Sequence, residues 1–290
     1  MILCVLFWSG NFIIGRFFHA DIQPLQLAFF RWFGAAIIVL PILIKKFSNI
    51  YKTFKEHYIV LNILSILGVT IFNTFLYIGL QDTTATNALI INSSIPVLIL
   101  VLSFVVLKIP VNLKQLIGIL LSTIGVIYLI LRGDLSNLLT LSFNHGDLWV
   151  ISSSIIWALY SVLIKLKPKN LSDFEFFTTI VYVGLFWLFI IYKFMGYSFV
   201  SDLYIVQRYY PVFIYVSLFT SVLSFYFWHK GIHEIGANKT GQFTHLMPLF
   251  GAILAYIFLS ERLHIFHIVG AIFIGFGIYL SLFSKKERSK

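Results

Sequence analysis

The sequence predicts an all-α integral membrane protein of ten transmembrane helices, arranged as two inverted five-helix repeats. Three observations carry that expectation. Of the 290 residues, 59% are hydrophobic and 11% charged, and the mean hydropathy is +0.94, far above the range of soluble domains. Apolar runs of the about 17 to 25 residues that a helix needs to cross a bilayer recur along the whole chain, broken by short polar stretches. Finally, Gly79, Pro96, Gly118 and Gly125 return as Gly231, Pro248, Gly270 and Gly277 at a constant offset of 152. Ala85 and Ala237 keep the same offset, as do Leu107 and Leu259, while Trp8 and Trp157 stand 149 apart. A skeleton repeated at this scale governs the architecture before any single residue does.

Ten spans follow in order, at residues 2–18, 25–44, 58–80, 85–107, 115–131, 148–164, 176–195, 212–228, 242–259 and 267–283. The first starts at Met1 with no flank, so the natural start is expected a few residues upstream. Because it lacks a basic leader and contains Asn11 and Arg16, a cleaved signal peptide is not expected. The second holds Arg31, the one charge well inside a span, and the third holds Asn62, Asn73 and Tyr77. In the fourth, Asn92, Ser93 and Ser94 precede Pro96. The fifth places Gly118, Ser122 and Gly125 on an aliphatic background, as a helix packed against a close neighbour would. Loop residues Gly133, Asp134, Asn144 and Gly146 then divide a first repeat, 1–131, from a second, 148–283. The sixth span carries Trp157 and Tyr160, and the eighth Tyr226. In the ninth, Thr244 and His245 precede Pro248, and the tenth repeats the fifth with Gly270, Gly275 and Gly277.

Five crossings per repeat send the second copy into the bilayer from the opposite side. The basic residues agree: with the amino terminus cytoplasmic, fifteen fall inside and five outside, Arg31 being the remaining one. Both termini are therefore expected in the cytoplasm. The longest loops, 132–147 and 196–211, leave no soluble domain, so function is expected among the helices.

Several classes are excluded. The net charge of +10 is scattered through loops and does not form a nucleic-acid face. Cys4 is the sole cysteine, which rules out an internal disulfide and a cysteine metal site. His229 and His233, and His264 and His267, have helical metal-ligand spacing, yet the topology sets the pairs at opposite membrane faces, so no metal and no cofactor is expected. Paired intramembrane aspartates and a nucleophile with its base are absent, and an enzyme is not expected.

Polar side chains inside spans are costly unless they face protein or water. The candidates for solute binding are Asn11, Arg31, Asn73, Tyr77, Asn92, Ser93, Trp157, Tyr160, Tyr226, Thr244 and His245, with helix bends at Pro96 and Pro248. Asn92 maps to Thr244 and Ser93 to His245 by the repeat, each pair just ahead of a proline that frees carbonyls in the preceding turn. For each polar residue an interhelical hydrogen bond is the competing reading. Arg31 either reaches outward to anchor its helix or meets an anionic group of a solute. His245 either carries a proton and senses occupancy or bonds across to the Asn92 and Ser93 region.

Trp8-Ser9-Gly10-Asn11-Phe12, Arg31-Trp32-Phe33, and the run from Pro248 through Leu259-Ser260-Glu261-Arg262-Leu263 to Gly270 and Gly277 resemble the EamA-type branch of the drug/metabolite transporter superfamily. One departure is that Ile109, after Lys108, stands where the second half has Glu261, so the acid is not needed in both repeats. The resemblance implies export of a small metabolite, such as an amino acid or a toxic organic compound, through a central cavity between the halves. Its partners would be a small-molecule solute and the lipid bilayer, with a homodimer left open. The expected function is a carrier in a bacterial cytoplasmic membrane, working outward by alternating access. The alternative is a passive pore or a structural membrane subunit.

Overall fold

The computed structural model describes residues 1–140, 144–259 and 264–283. Ser260, Glu261, Arg262, Leu263 and the basic residues beyond Phe283 lie outside them. Among the described residues, eight helices are long and apolar enough to cross a membrane. They are α2 (Pro24–Glu56), α3 (Tyr58–Asp82), α4 (the pieces Ala85–Asn92 and Ile95–Leu107), α5 (Leu113–Ile130), α6 (His145–Leu163), α7 (Asp173–Phe194), α8 (Tyr210–Ile235) and α10 (Ile265–Leu282). The two remaining spans differ from the expectation. Helix α1 (Ile2–Phe17) has 16 residues, about 24 Å at 1.5 Å per residue, which is short of the roughly 30 Å hydrocarbon core. Segment α9 is helical in three pieces, Ala237–Gln242, a tight 3-10 turn at Phe243–Leu246, and Met247–Leu259.

Local chemistry sets the ends. Asn144 and Asp147, like Ser172 and Glu175, exchange side-chain and backbone hydrogen bonds as capping boxes that start α6 and α7. Pro24 opens α2, where its missing N–H has no intrahelical partner to lose. Helix α2 runs past the expected end of its span to Glu56, with a kink at Lys46 (φ −115°, ψ 15°). Pro96 is the second residue of the piece Ile95–Leu107, directly after the Ser93–Ser94 break in α4. Two wider π-helical turns interrupt the long helices, Ile66–Ile71 in α3 and Val216–Leu223 in α8. In the second, Ser221 and Ser224 donate to carbonyls five residues back, Val216 O and Phe219 O.

Most of the core is one continuous body of apolar side chains among α1–α4 and α6–α8. Helices α5 and α10 stand beside it on a small core of their own, built from Val126, Leu129, Ile274 and Ile278. Their backbones touch through the repeated glycines. A Cβ at Gly118 would lie 2.5 Å from Gly277 O, one at Gly277 2.5 Å from Gly118 O, and Gly125 and Gly270 are opposed in the same way at 2.9 and 3.1 Å. Gly275 departs from the close packing expected of it, because a Cβ there meets nothing within 4 Å.

Candidate solute-binding site

Arg31 is the centre of a polar group inside the bundle, and at 1% exposed it does not reach the protein surface. Its guanidinium donates from Nε to Ser221 Oγ (2.6 Å), from Nη1 to Asn11 Oδ1 (3.1 Å) and Tyr77 Oη (2.9 Å), and from Nη2 to Thr220 O (3.0 Å). Tyr77 in turn donates to Asn11 Oδ1 at 2.7 Å. These contacts join α1, α2, α3 and α8. Each partner is a neutral oxygen, so the positive charge is spread over dipoles rather than cancelled by a carboxylate. Four of the five guanidinium N–H groups are thereby used, and one on Nη2 stays available.

Next to this group is a void of about 20 Å³ walled by Asn11, Arg31, Asn73, Asn92, Trp157 and Thr244, among others. That volume is close to the room one water molecule takes. Asn73 is 1% exposed, and neither its Oδ1 nor its Nδ2 has a hydrogen-bond partner. A buried amide left in that state costs about 1–3 kcal/mol for each unmet group. Two neighbouring polar side chains, Asn92 and Thr244, have partners. Asn92 donates to Ala88 O and accepts from Ser154 Oγ, and Thr244 donates to Gly241 O.

On one side an aromatic wall closes the void. Trp8, Trp157 and Trp228 lie with ring centroids 5.1–5.3 Å apart, and Phe225 packs against Trp157 at 5.3 Å. Trp8 Nε1 donates to Thr220 O, and Trp228 Nε1 to Ser161 Oγ. Ser161 belongs to the rim of a second, much larger cavity of about 920 Å³, where Lys165, Lys167, Lys169, His229 and Lys239 also stand. The wall thus separates a small polar void from a wide basic vestibule.

The remaining candidates are placed as follows. Tyr160 is buried and its hydroxyl meets His229 Nε2 at 2.6 Å, behind the wall. His245 is held by Ser122 Oγ at Nδ1 (2.7 Å) and donates from Nε2 to Ser93 O (2.9 Å), which ties α9 to α5 and α4. Ser93 donates to Ile90 O and does not line the void. Tyr226 stacks on Phe174 at 4.4 Å, away from Arg31. Pro248 is at the start of Met247–Leu259, one residue after Met247, which lines the void. Asn62 accepts from Trp187 Nε1 on the outer face.

Sequence reasoning missed Thr220, Ser221 and Ser217, the last donating to Arg31 O at 3.1 Å. A signal was present, since Ser217, Thr220, Ser221 and Ser224 form a polar stripe at helical spacing in α8.

Comparison with known proteins agrees with this architecture. A model of the EamA-like transporter family matches residues 1–131 and 144–283. The chain is similar to the "Uncharacterized transporter YyaM" of Bacillus subtilis (strain 168), at 30% identity over 94% of this chain and 89% of that one. An "Uncharacterized transporter" of Archaeoglobus fulgidus is 27% identical over 96% and 94%. A crystal structure of a protein 13% identical superposes with a TM-score of 0.72, covering 96% of this chain and 94% of its own. With a family match along both halves and an aligned transporter relative, this multi-pass membrane protein belongs to the EamA-like transporter family.

Proposed function

We propose that the protein is a carrier that moves a small organic solute, such as an amino acid or a toxic compound, outward across a bacterial cytoplasmic membrane, exposing one site alternately to its two sides. The observation that carries this reading is Asn73, a buried amide with two unmet hydrogen-bonding atoms beside the spare N–H of Arg31. A polar solute group with both donor and acceptor character would satisfy both. In this reading α1 and α9 complete ten crossings, the termini are cytoplasmic, and residues 1–131 and 148–283 are inverted copies. Reciprocal contacts support the inversion. In a two-fold arrangement position i meets the partner of j while j meets the partner of i, and Gly118 with Gly277 and Gly125 with Gly270 follow that rule. Positions related by the repeat also touch directly near the void, His245 with Ser93 and Trp8 with Trp157. His245, with both ring nitrogens engaged, is assigned here to hold α9 in place rather than to carry a proton.

The test is counterflow in vesicles containing the purified protein, with solutes first narrowed by comparing metabolites exported by cells with and without it. A carrier gives saturating uptake that is accelerated by solute loaded on the far side. Flux that rises linearly with concentration and ignores that loading sinks the carrier in favour of a pore.

A further inference from the structure

His229 and Ser103 are buried polar groups of the large vestibule that the central site does not use. His229 is 2% exposed, boxed by Phe176, Phe177 and Phe225 with ring centroids 5.2–6.0 Å away, and its Nδ1 has no hydrogen-bond partner. The tautomer follows from Tyr160. That hydroxyl makes one hydrogen bond, to His229 Nε2, so the arrangement that strands no buried hydroxyl proton has Tyr160 donating and Nε2 accepting. The imidazole proton is then on Nδ1, as an unmet donor in the cavity wall. Ser103, 1% exposed, is the second such group. Ser9, Ser65 and Ser161 each donate to the carbonyl one helical turn back, but Ser103 makes no such bond.

The charge around these donors is positive. Four lysines line the vestibule against Asp173 and Glu234. Asp173 is taken by Lys167 at 2.5 Å and Glu234 approaches Lys230 at 3.8 Å. Among the described residues Lys165 and Lys169 are left with no acidic partner. Two buried donors in want of acceptors, inside a basic mouth, have the chemistry that recognises an oxygen anion.

We propose that this vestibule is an oxyanion-binding site, taking a carboxylate or phosphate group on His229 Nδ1–H and the Ser103 hydroxyl, with Lys165 and Lys169 drawing it in. The proposal rests on the carrier reading for what happens next, namely that the bound anion is the solute or part of it on its way to Arg31. Occupancy itself is independent of transport. The ligand has two available sources, a dissolved organic or inorganic anion and the headgroup of an anionic lipid.

The experiment uses the full chain, with histidine labelled with ¹⁵N, in nanodiscs of zwitterionic lipid. Acetate, succinate and inorganic phosphate are titrated in, against chloride at equal ionic strength and against neutral acetamide. The His229 Nδ1 signal, assigned with His229→Asn, should shift saturably with at least one oxyanion and stay still with chloride and acetamide. Ser103→Ala removes a hydroxyl with no partner to lose, so the fold should keep its melting temperature while affinity falls about tenfold, the scale of one hydrogen bond to a charged group. Lys165→Gln with Lys169→Gln should weaken binding by about threefold and flatten its dependence on salt. In discs containing phosphatidylglycerol, a shift present before any anion is added assigns the site to the headgroup; a shift that still awaits added anion assigns it to the dissolved source. No saturable shift with any oxyanion, or unchanged affinity in Ser103→Ala and the double lysine variant, overturns the proposal. Loss of counterflow with the shift intact would instead count against the carrier alone.

Discussion

Asn73 and Ser221 make opposite wagers at the residue scale. An amide buried without partners destabilises the fold, so Asn73→Leu, close in size and apolar, should raise the melting temperature or leave it unchanged, by up to about 2 kcal/mol. The same change should remove saturable counterflow, as expected where a site is built at the expense of stability. A variant that melts earlier yet transports normally would show that Asn73 serves the fold. Ser221 is already satisfied by the guanidinium at 2.6 Å. Ser221→Ala should therefore cost stability, about 1–3 kcal/mol for a buried bond to a charged group, readable as a lower melting temperature. Arg31, Asn11, Asn73, Tyr77, Asn92 and Thr244 could be read from the sequence because an isolated polar residue in an apolar run is conspicuous. Ser221 and Thr220 could not, since a helical serine or threonine is ordinarily content with its own backbone. What makes them partners of Arg31 is the wide turn Val216–Leu223, whose hydrogen bonds reach five residues back and leave no mark on composition. Tyr226 shows the converse, a polar ring chosen by type whose stacking on Phe174 no spacing rule reveals.

Helices were the most legible level, and their breaks the least. Apolar length placed most spans within a turn, although α2 runs on to Glu56 and α8 to Ile235, whereas α9 divides into three pieces because a proline and the polar run before it offer the backbone other partners. The glycine spacing announced close packing in α5 and α10, but not that the two helices would be each other's neighbour. That pairing yields a sharp prediction. Because backbone oxygen sits 2.5 Å from where a Cβ would go, Gly118→Ala and Gly277→Ala should be equally harmful, at about 1–3 kcal/mol each for overpacking. Gly275→Ala, with open space around it, should be neutral or stabilising by up to about 1 kcal/mol as a better helix former. Thermal melts of the three purified variants decide the matter, and a tolerated Gly118→Ala would refute the seam as described.

For the whole molecule, the orientation can be checked by chemical access. Cys4 is fully buried and donates to Ser224 O at 3.2 Å, so Cys4→Ser gives a quiet background. Single cysteines placed by Ser136→Cys and Ser201→Cys should react with an impermeant maleimide added to whole cells, while Ser48→Cys and Asn170→Cys should react only after lysis. Labelling at position 170 from outside would invert the proposed topology. The contact of Asn49 Nδ2 with Asn170 O already sets the last two on one face of the fold. A different consequence follows from Trp8, Trp157 and Trp228. Three indoles with centroids 5.1–5.3 Å apart are near enough for their electronic transitions to mix, and they lie on the partition between the void and the vestibule. The molecule therefore carries its own optical gauge: the coupled near-ultraviolet dichroism of the triad should weaken whenever that partition parts, with no label attached.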